Sequence, residues 1–189
     1  MGKLSHTIMK KILFILVFAA FVATSFVPKP VQAQDSKLVM AGYSAVLKSA
    51  DIQADIRVEK LQAFLAKYNS PLAPYARNFI ALADQYQIDW KLVPAITGVE
   101  STFGKQIPYN SYNAYGWANG NYAFKSWEDS IVIVTKTLKE KYYNRGLDTP
   151  AKIAPVYAPP SKTWGGKVSF FMQKIEDFDP RAFPLALTI

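Results

Sequence analysis

The chain has 189 residues, a formal net charge of +8 and 50% hydrophobic residues, with no cysteine and a single histidine, His6. The absence of cysteine excludes disulfide stapling and thiol catalysis. With the only histidine near the N-terminus, a Ser-His-Asp triad and a histidine- or cysteine-ligated zinc site are excluded from any chain that loses that end.

The N-terminus has the form of a secretion signal. Lys3, Lys10 and Lys11 supply positive charge, Ile12 to Val27 is a mostly apolar run of 16 residues, and Val31-Gln32-Ala33 precedes Gln34 in the manner of a cleavage site. The run is shorter than the ~20 residues of a membrane span. Residues 1–33 are therefore predicted to be a signal peptide cleaved after Ala33, and the chain to be secreted or associated with the cell envelope. If the segment stays uncleaved, it is the only predicted connection to a membrane. Its removal takes Lys3, Lys10, Lys11 and Lys29 and no acid, leaving 18 basic and 14 acidic residues and a net charge of +4. That modest excess suits an anionic polymer such as a cell wall and is far from a nucleic-acid footprint.

Residues 34–54 show no strong pattern and read as a linker or weakly ordered arm. From Asp55 to Tyr68, Ile56, Leu61, Phe64 and Leu65 are spaced for an amphipathic helix, broken by Asn69-Ser70-Pro71. A second helix is predicted over Pro74 to Gln87, burying Tyr75, Phe79, Ile80, Leu82 and Ala83. Asp89 is placed to cap a third, Trp90 to Phe103, in which Pro94 predicts a kink or a late start and Gly104 a left-handed end. Residues 105–125 form a long irregular segment rich in Tyr, Trp, Asn and Gly, and a loop of this length in a compact domain usually has a function. Ser126 opens the next helix with Asp129 as a capping-box partner, and Ile131, Val134, Leu138 and Tyr142 (or Ile133) form its buried face. Asn144-Arg145-Gly146 closes it. Thr149-Pro150 begins a short helix stopped by Tyr157-Ala158-Pro159-Pro160, and a last helix is predicted from Thr163 to Phe178. The fold expected over 55–189 is all-α, with at most a minor β element, in one domain.

One residue breaks the pattern of the third helix. Leu92, Ile96, Val99 and Phe103 form its inward stripe, and Glu100 lies on the Ile96 line at i+4. A carboxyl group there faces the core or a cleft, where desolvation and the negative end of the helix dipole both favour its protonated form. That is the state a general acid requires. The bland alternative is a solvated glutamate in the last helical turn, paired with Lys91 or Lys105. Glycosidic cleavage is the large reaction class that needs carboxylates alone.

The segment Gly98-Val99-Glu100-Ser101-Thr102-Phe103-Gly104 resembles the catalytic glutamate-serine helix end of the lysozyme-like superfamily, in its lytic transglycosylases and bacterial-type glucosaminidases. Asn113-Ala114-Tyr115-Gly116-Trp117 is similar to the asparagine-x-aromatic-glycine segment of the same enzymes, and Tyr157-Ala158 to their tyrosine opposite the glutamate. Order and spacing agree over about Leu72 to Glu176. The resemblance implies a lysozyme-like domain with an active-site cleft, acting without a cofactor on the β-1,4 bonds between N-acetylmuramic acid and N-acetylglucosamine in peptidoglycan. It assigns Glu100 as the catalytic acid and base, and Ser101, Asn113, Tyr115, Gly116, Trp117 and Tyr157 as substrate-binding residues. The expected partner is the glycan strand, and the expected state a monomer.

Two departures bear on the outcome of the reaction. Ala118-Asn119 stand where transglycosylases have a glutamine, and Ala158-Pro159-Pro160 replace their asparagine-alanine-glycine. Glu128 and Asp129, the nearest acids beyond the aromatic loop, are better explained as helix caps, which leaves a single-glutamate mechanism. Of the loop aromatics, Tyr115 and Trp117 are expected with Asn113 in the cleft, where rings stack on sugar faces and amides bond hydroxyls. Phe103, Phe124 and Trp127 are expected in the core, and Trp164 is open between the cleft edge and the start of the last helix. A non-catalytic wall-binding module of the same fold, and an exported helical protein with an incidental Glu100, are the competing readings.

Overall fold

The computed structural model describes residues 55–182, so the expected signal peptide over 1–33, the arm over 34–54 and the last residues 183–189 lie outside the described residues. Six α-helices and no strand are found among the described residues, in keeping with the all-α expectation. They are α1 (Ile56–Lys67), α2 (Ala76–Tyr86), α3 (Leu92–Ser101), α4 (Trp127–Lys141), α5 (Pro150–Tyr157) and α6 (Trp164–Glu176).

Local chemistry sets most of the boundaries. The Asp55 carboxylate caps α1 by accepting from the Arg57 N–H at 2.9 Å. The same Arg57 guanidinium reaches Asp84 of α2 at 2.8 Å, tying the two helices together. Left-handed Asn69 ends that region (φ 53°), and a 3-10 turn over Ala73–Tyr75 leads into α2. Ser126 caps α4 by accepting from the Asp129 N–H at 3.1 Å, and Asp129 in turn accepts from the Lys125 N–H at 3.0 Å. Both are the capping roles that the sequence assigns. Thr149 caps α5, and Gly146 (φ 75°) closes the short 3-10 turn after α4.

Helix α3 is the most deeply buried of the described helices. Leu92, Val93, Pro94, Ala95, Ile96, Thr97 and Ser101 are all buried, so the helix has no solvent face over its first six residues. The sequence predicts a stripe, and the structure replaces it with burial nearly all round, while Val99 is only half-buried. Pro94 is tolerated as the third residue of a helix that starts late. The N–H it lacks is one of those that have no partner within a helix. Helix α6 packs along α3 and against α5, α4 packs on α2, and α1 lies against α2. The core runs from Leu61, Phe64 and Phe79 through Leu92, Ile96 and Phe103 to Ile131, Leu138, Ile153 and Val168. Each such fully buried apolar side chain contributes about 1.5–3 kcal/mol.

Three packing expectations are corrected. Ile56 is 63% exposed because it is the first residue of α1, one turn short of the core that Leu61, Phe64 and Leu65 enter. Tyr75 sits in the 3-10 turn before α2 and is half-buried. Trp127 is half-buried too, with its ring edge-on to Tyr112 at 5.3 Å, whereas Phe103 and Phe124 are core as expected.

Candidate active site

Glu100 is presented by a tightly specified turn. Directly after α3, Thr102 (φ 53°), Phe103 (φ 59°) and Gly104 (φ 80°) are all left-handed, a costly conformation for the first two. This run folds Phe103 back into the core. Its ring lies so close to Gly98 that an added β-carbon would meet it at 2.7 Å. Ser101 locks the turn: its hydroxyl donates toward the carbonyls of Thr97 (3.0 Å) and Ala114 (2.9 Å) and accepts from the Gly104 N–H (2.9 Å). The Ser70 hydroxyl adds a further clamp by donating to the Phe103 carbonyl at 2.7 Å. Through Ser101 and Ala114, the end of α3 is joined to the aromatic loop.

The carboxyl group of Glu100 is half-buried at this junction. Its Oε1 accepts from the indole Nε1–H of Trp164 at 2.6 Å. Its Oε2 faces Gly116, where an added β-carbon would stand only 2.7 Å away. Burial raises the Glu100 pKa above the ordinary glutamate value, and the Trp164 hydrogen bond offsets part of that rise. Lys91 bonds Glu176 at 2.6 Å instead, and among the described residues Glu100 has no ion pair with Lys91 or Lys105. The solvated, salt-bridged alternative for Glu100 is therefore not what the fold provides.

Tyr157 and Trp164 stand beside this carboxyl group. Their rings stack 4.7 Å apart at 25°. The Tyr157 hydroxyl donates to the Tyr115 carbonyl at 2.6 Å, next to Gly116 in the chain. Burial, and then the neighbouring Glu100 charge, push the Tyr157 phenol well above its usual value, so it stays neutral. Trp164 is 3% exposed and occupies the first turn of α6. Gly165 brings that turn close to α5, since a β-carbon there would meet the Pro150 carbonyl at 3.0 Å.

The expected site residues divide into two groups. Glu100, Gly116, Tyr157 and the undecided Trp164 come together around one carboxyl group. Ser101, Asn113 and Tyr115 do not present side chains to an open cleft, and their assignment as side-chain contacts to substrate is corrected. Ser101 is 2% exposed with its hydroxyl used three ways. Asn113 is 3% exposed; its amide donates to the carbonyls of Trp117 (2.9 Å) and Tyr122 (3.0 Å) while its oxygen accepts from the Trp117 N–H (3.0 Å). Tyr115 is fully buried, edge-on to Phe124, and acts through its backbone carbonyl. These residues build the loop that holds Gly116. Trp117 remains half-buried at the surface of that loop, its ring against Phe124 at 5.9 Å.

Trp164 is the member of the site that the sequence left open. Its signal was the aromatic before Gly165-Gly166, a place where two helices can approach closely.

No group of three or more His, Cys, Asp or Glu side chains suited to a metal ion occurs among the described residues. A cavity of about 250 Å³ lies elsewhere, lined by Asp89, Lys91, Pro150, Met172 and Glu176 among others, and its charges are paired with one another. In chemical terms, the Glu100 site offers one carboxyl group of raised proton affinity, fixed at one oxygen and open at the other, beside a neutral aromatic wall. Neither the models of protein families nor the curated proteins include a match to this chain.

Proposed function

We propose that this protein is an exported enzyme of lysozyme-like type that cleaves peptidoglycan glycan strands at the β-1,4 bonds between N-acetylmuramic acid and N-acetylglucosamine, with Glu100 as the single general acid and base. The observation that supports the reading is the half-buried Glu100 carboxyl, raised in pKa and without a charged partner among the described residues. Burying such an acid costs free energy whatever its role, and a module that only bound glycan would gain nothing from its raised proton affinity.

In this reading Glu100 gives its proton to the glycosidic oxygen as the bond to the anomeric carbon breaks. The resulting carboxylate then accepts a proton from the attacking hydroxyl. No second carboxylate contributes to the Glu100 shift, and Asp129 is committed to capping α4, which favours the single-glutamate scheme. The attacking hydroxyl belongs either to the sugar itself, giving an anhydro product, or to water. The net charge of +4 expected after removal of residues 1–33 suits the anionic wall polymer. Mass analysis of fragments released from purified peptidoglycan by residues 34–189 tests the reading. Glycan fragments, one water lighter than hydrolysis products for an anhydro outcome, are expected; a wall left intact by folded protein contradicts it.

A further inference from the structure

The two oxygens of Glu100 have different surroundings. Oε1 is 2.6 Å from the indole Nε1 of Trp164, a group that can only donate. An oxygen that accepts from such a donor at this distance cannot itself direct a proton toward it. Oε2 faces Gly116, whose missing side chain leaves the space next to it clear. The indole is not free to turn away: it is 3% exposed, stacked on Tyr157, and held on the first turn of α6 by the close packing of Gly165 on the Pro150 backbone.

We propose that Trp164 is a positioning residue: by holding Oε1 of Glu100 it confines the transferable proton to Oε2, the oxygen on the Gly116 side. Substrate is then protonated from the Gly116 side of the carboxyl group, and the reacting bond lies on that side. The same hydrogen bond stabilises the carboxylate that remains after proton transfer, so Trp164 assists the second, basic half of the cycle as well. Among the described residues, the titratable group that faces the carboxyl group is Tyr157, and it stays neutral. The direction of the proton rests on the catalytic reading of Glu100; the Trp164–Glu100 hydrogen bond does not.

The test therefore has two arms, both on residues 34–189. In the first, the four indole N–H resonances are followed by proton–nitrogen NMR from acid to neutral pH, with Trp164 assigned through Trp164→Phe or, should that variant not fold, by backbone-linked assignment. The Trp164 resonance should be shifted downfield, titrate with Glu100 and lose its titration in Glu100→Gln. A Trp164 resonance indifferent both to pH and to Glu100→Gln overturns the proposal whatever the activity. In the second, peptidoglycan solubilisation by Trp164→Phe is measured against pH. Loss of the donor should move the alkaline limb upward and lower the maximal rate by roughly ten- to a hundredfold. A limb that stays in place, with activity reduced only in proportion to folded protein, overturns it. An indole that titrates in a protein without wall activity counts against the catalytic reading and leaves the hydrogen bond established.

Discussion

The Tyr157 hydroxyl donates to the Tyr115 main-chain carbonyl at 2.6 Å, and this bond spans 42 residues of sequence to join the end of α5 to the loop beneath Glu100. It fixes Gly116 relative to the Tyr157–Trp164 stack without using the Tyr115 side chain, which is fully buried. Tyr157→Phe should keep the stack on Trp164 and leave the Tyr115 carbonyl short of a donor. The expected cost is about 1–3 kcal/mol, read as a lower denaturant midpoint with unchanged slope. Because the phenol stays neutral, the shape of the pH–activity profile should not change. A lost or displaced limb in that profile would show that Tyr157 itself exchanges a proton.

Glu100 should oppose stability at neutral pH. Burial raises its pKa above the ordinary 4.5, and the Trp164 bond offsets only part of the rise. The native state therefore holds the proton more tightly than the unfolded chain, and stability falls as pH rises from 4.5 through the native value. Below 4.5 both states are protonated and the difference vanishes. Glu100→Gln, neutral throughout and still able to accept from Trp164, should melt at a higher temperature than wild type at neutral pH, with the gap closing in acid. Differential scanning calorimetry across that range checks it; a variant less stable than wild type at neutral pH would contradict a desolvated Glu100.

Gly116 is needed for two separable reasons. Its left-handed backbone (φ 65°) makes any β-carbon cost about 1–2 kcal/mol, and at this position the carbon would also lie 2.7 Å from Oε2 of Glu100. Gly146 has the same backbone handedness (φ 75°) with nothing within 4 Å of an added β-carbon. Gly146→Ala should lower the melting temperature by a few degrees and spare activity. Gly116→Ala should add to a similar loss of stability a fall in wall solubilisation of up to about a hundredfold. Equal activity in the two variants would remove Gly116 from the site.

Three helix starts were legible in the sequence because capping is local: Asp55, Ser126 and Thr149 each bond an N–H two or three residues away. Asp89, expected to cap α3, stands ahead of its start, and Lys91 takes the N-cap position without a side-chain bond. Of the kink or late start that Pro94 predicted, α3 shows the late start, for a similarly local reason. Side chains at the first turns were less legible. Ile56 fits the stripe by spacing, yet its position at the helix tip takes it past the core. Glu100 stood out because a carboxylate interrupts an apolar pattern. The hydrogen bond from Trp164, 64 residues away, depends on how α6 crosses α3, which no periodicity encodes. Asn113 and Tyr115 were expected to line the site, but their sequence context could not reveal that an Asn amide in a glycine-rich loop turns inward to bond that loop's own backbone.

That inward turn gives a prediction of its own. Asn113→Ala would leave the Trp117 and Tyr122 carbonyls and the Trp117 N–H without their partner. These groups are only partly buried, so urea denaturation should show a loss of about 1–2 kcal/mol. A residue that merely touched substrate would instead raise KM and leave the unfolding midpoint in place.

The central claim is that Glu100 supplies the proton that cuts the glycan strand. Its most direct test is the release of soluble fragments from purified peptidoglycan by the wild-type chain and by Glu100→Gln, with sedimentation of each protein on the wall measured in parallel. Release by the wild type, abolished in the variant while wall binding is retained, is the predicted result. Equal release by both would contradict it.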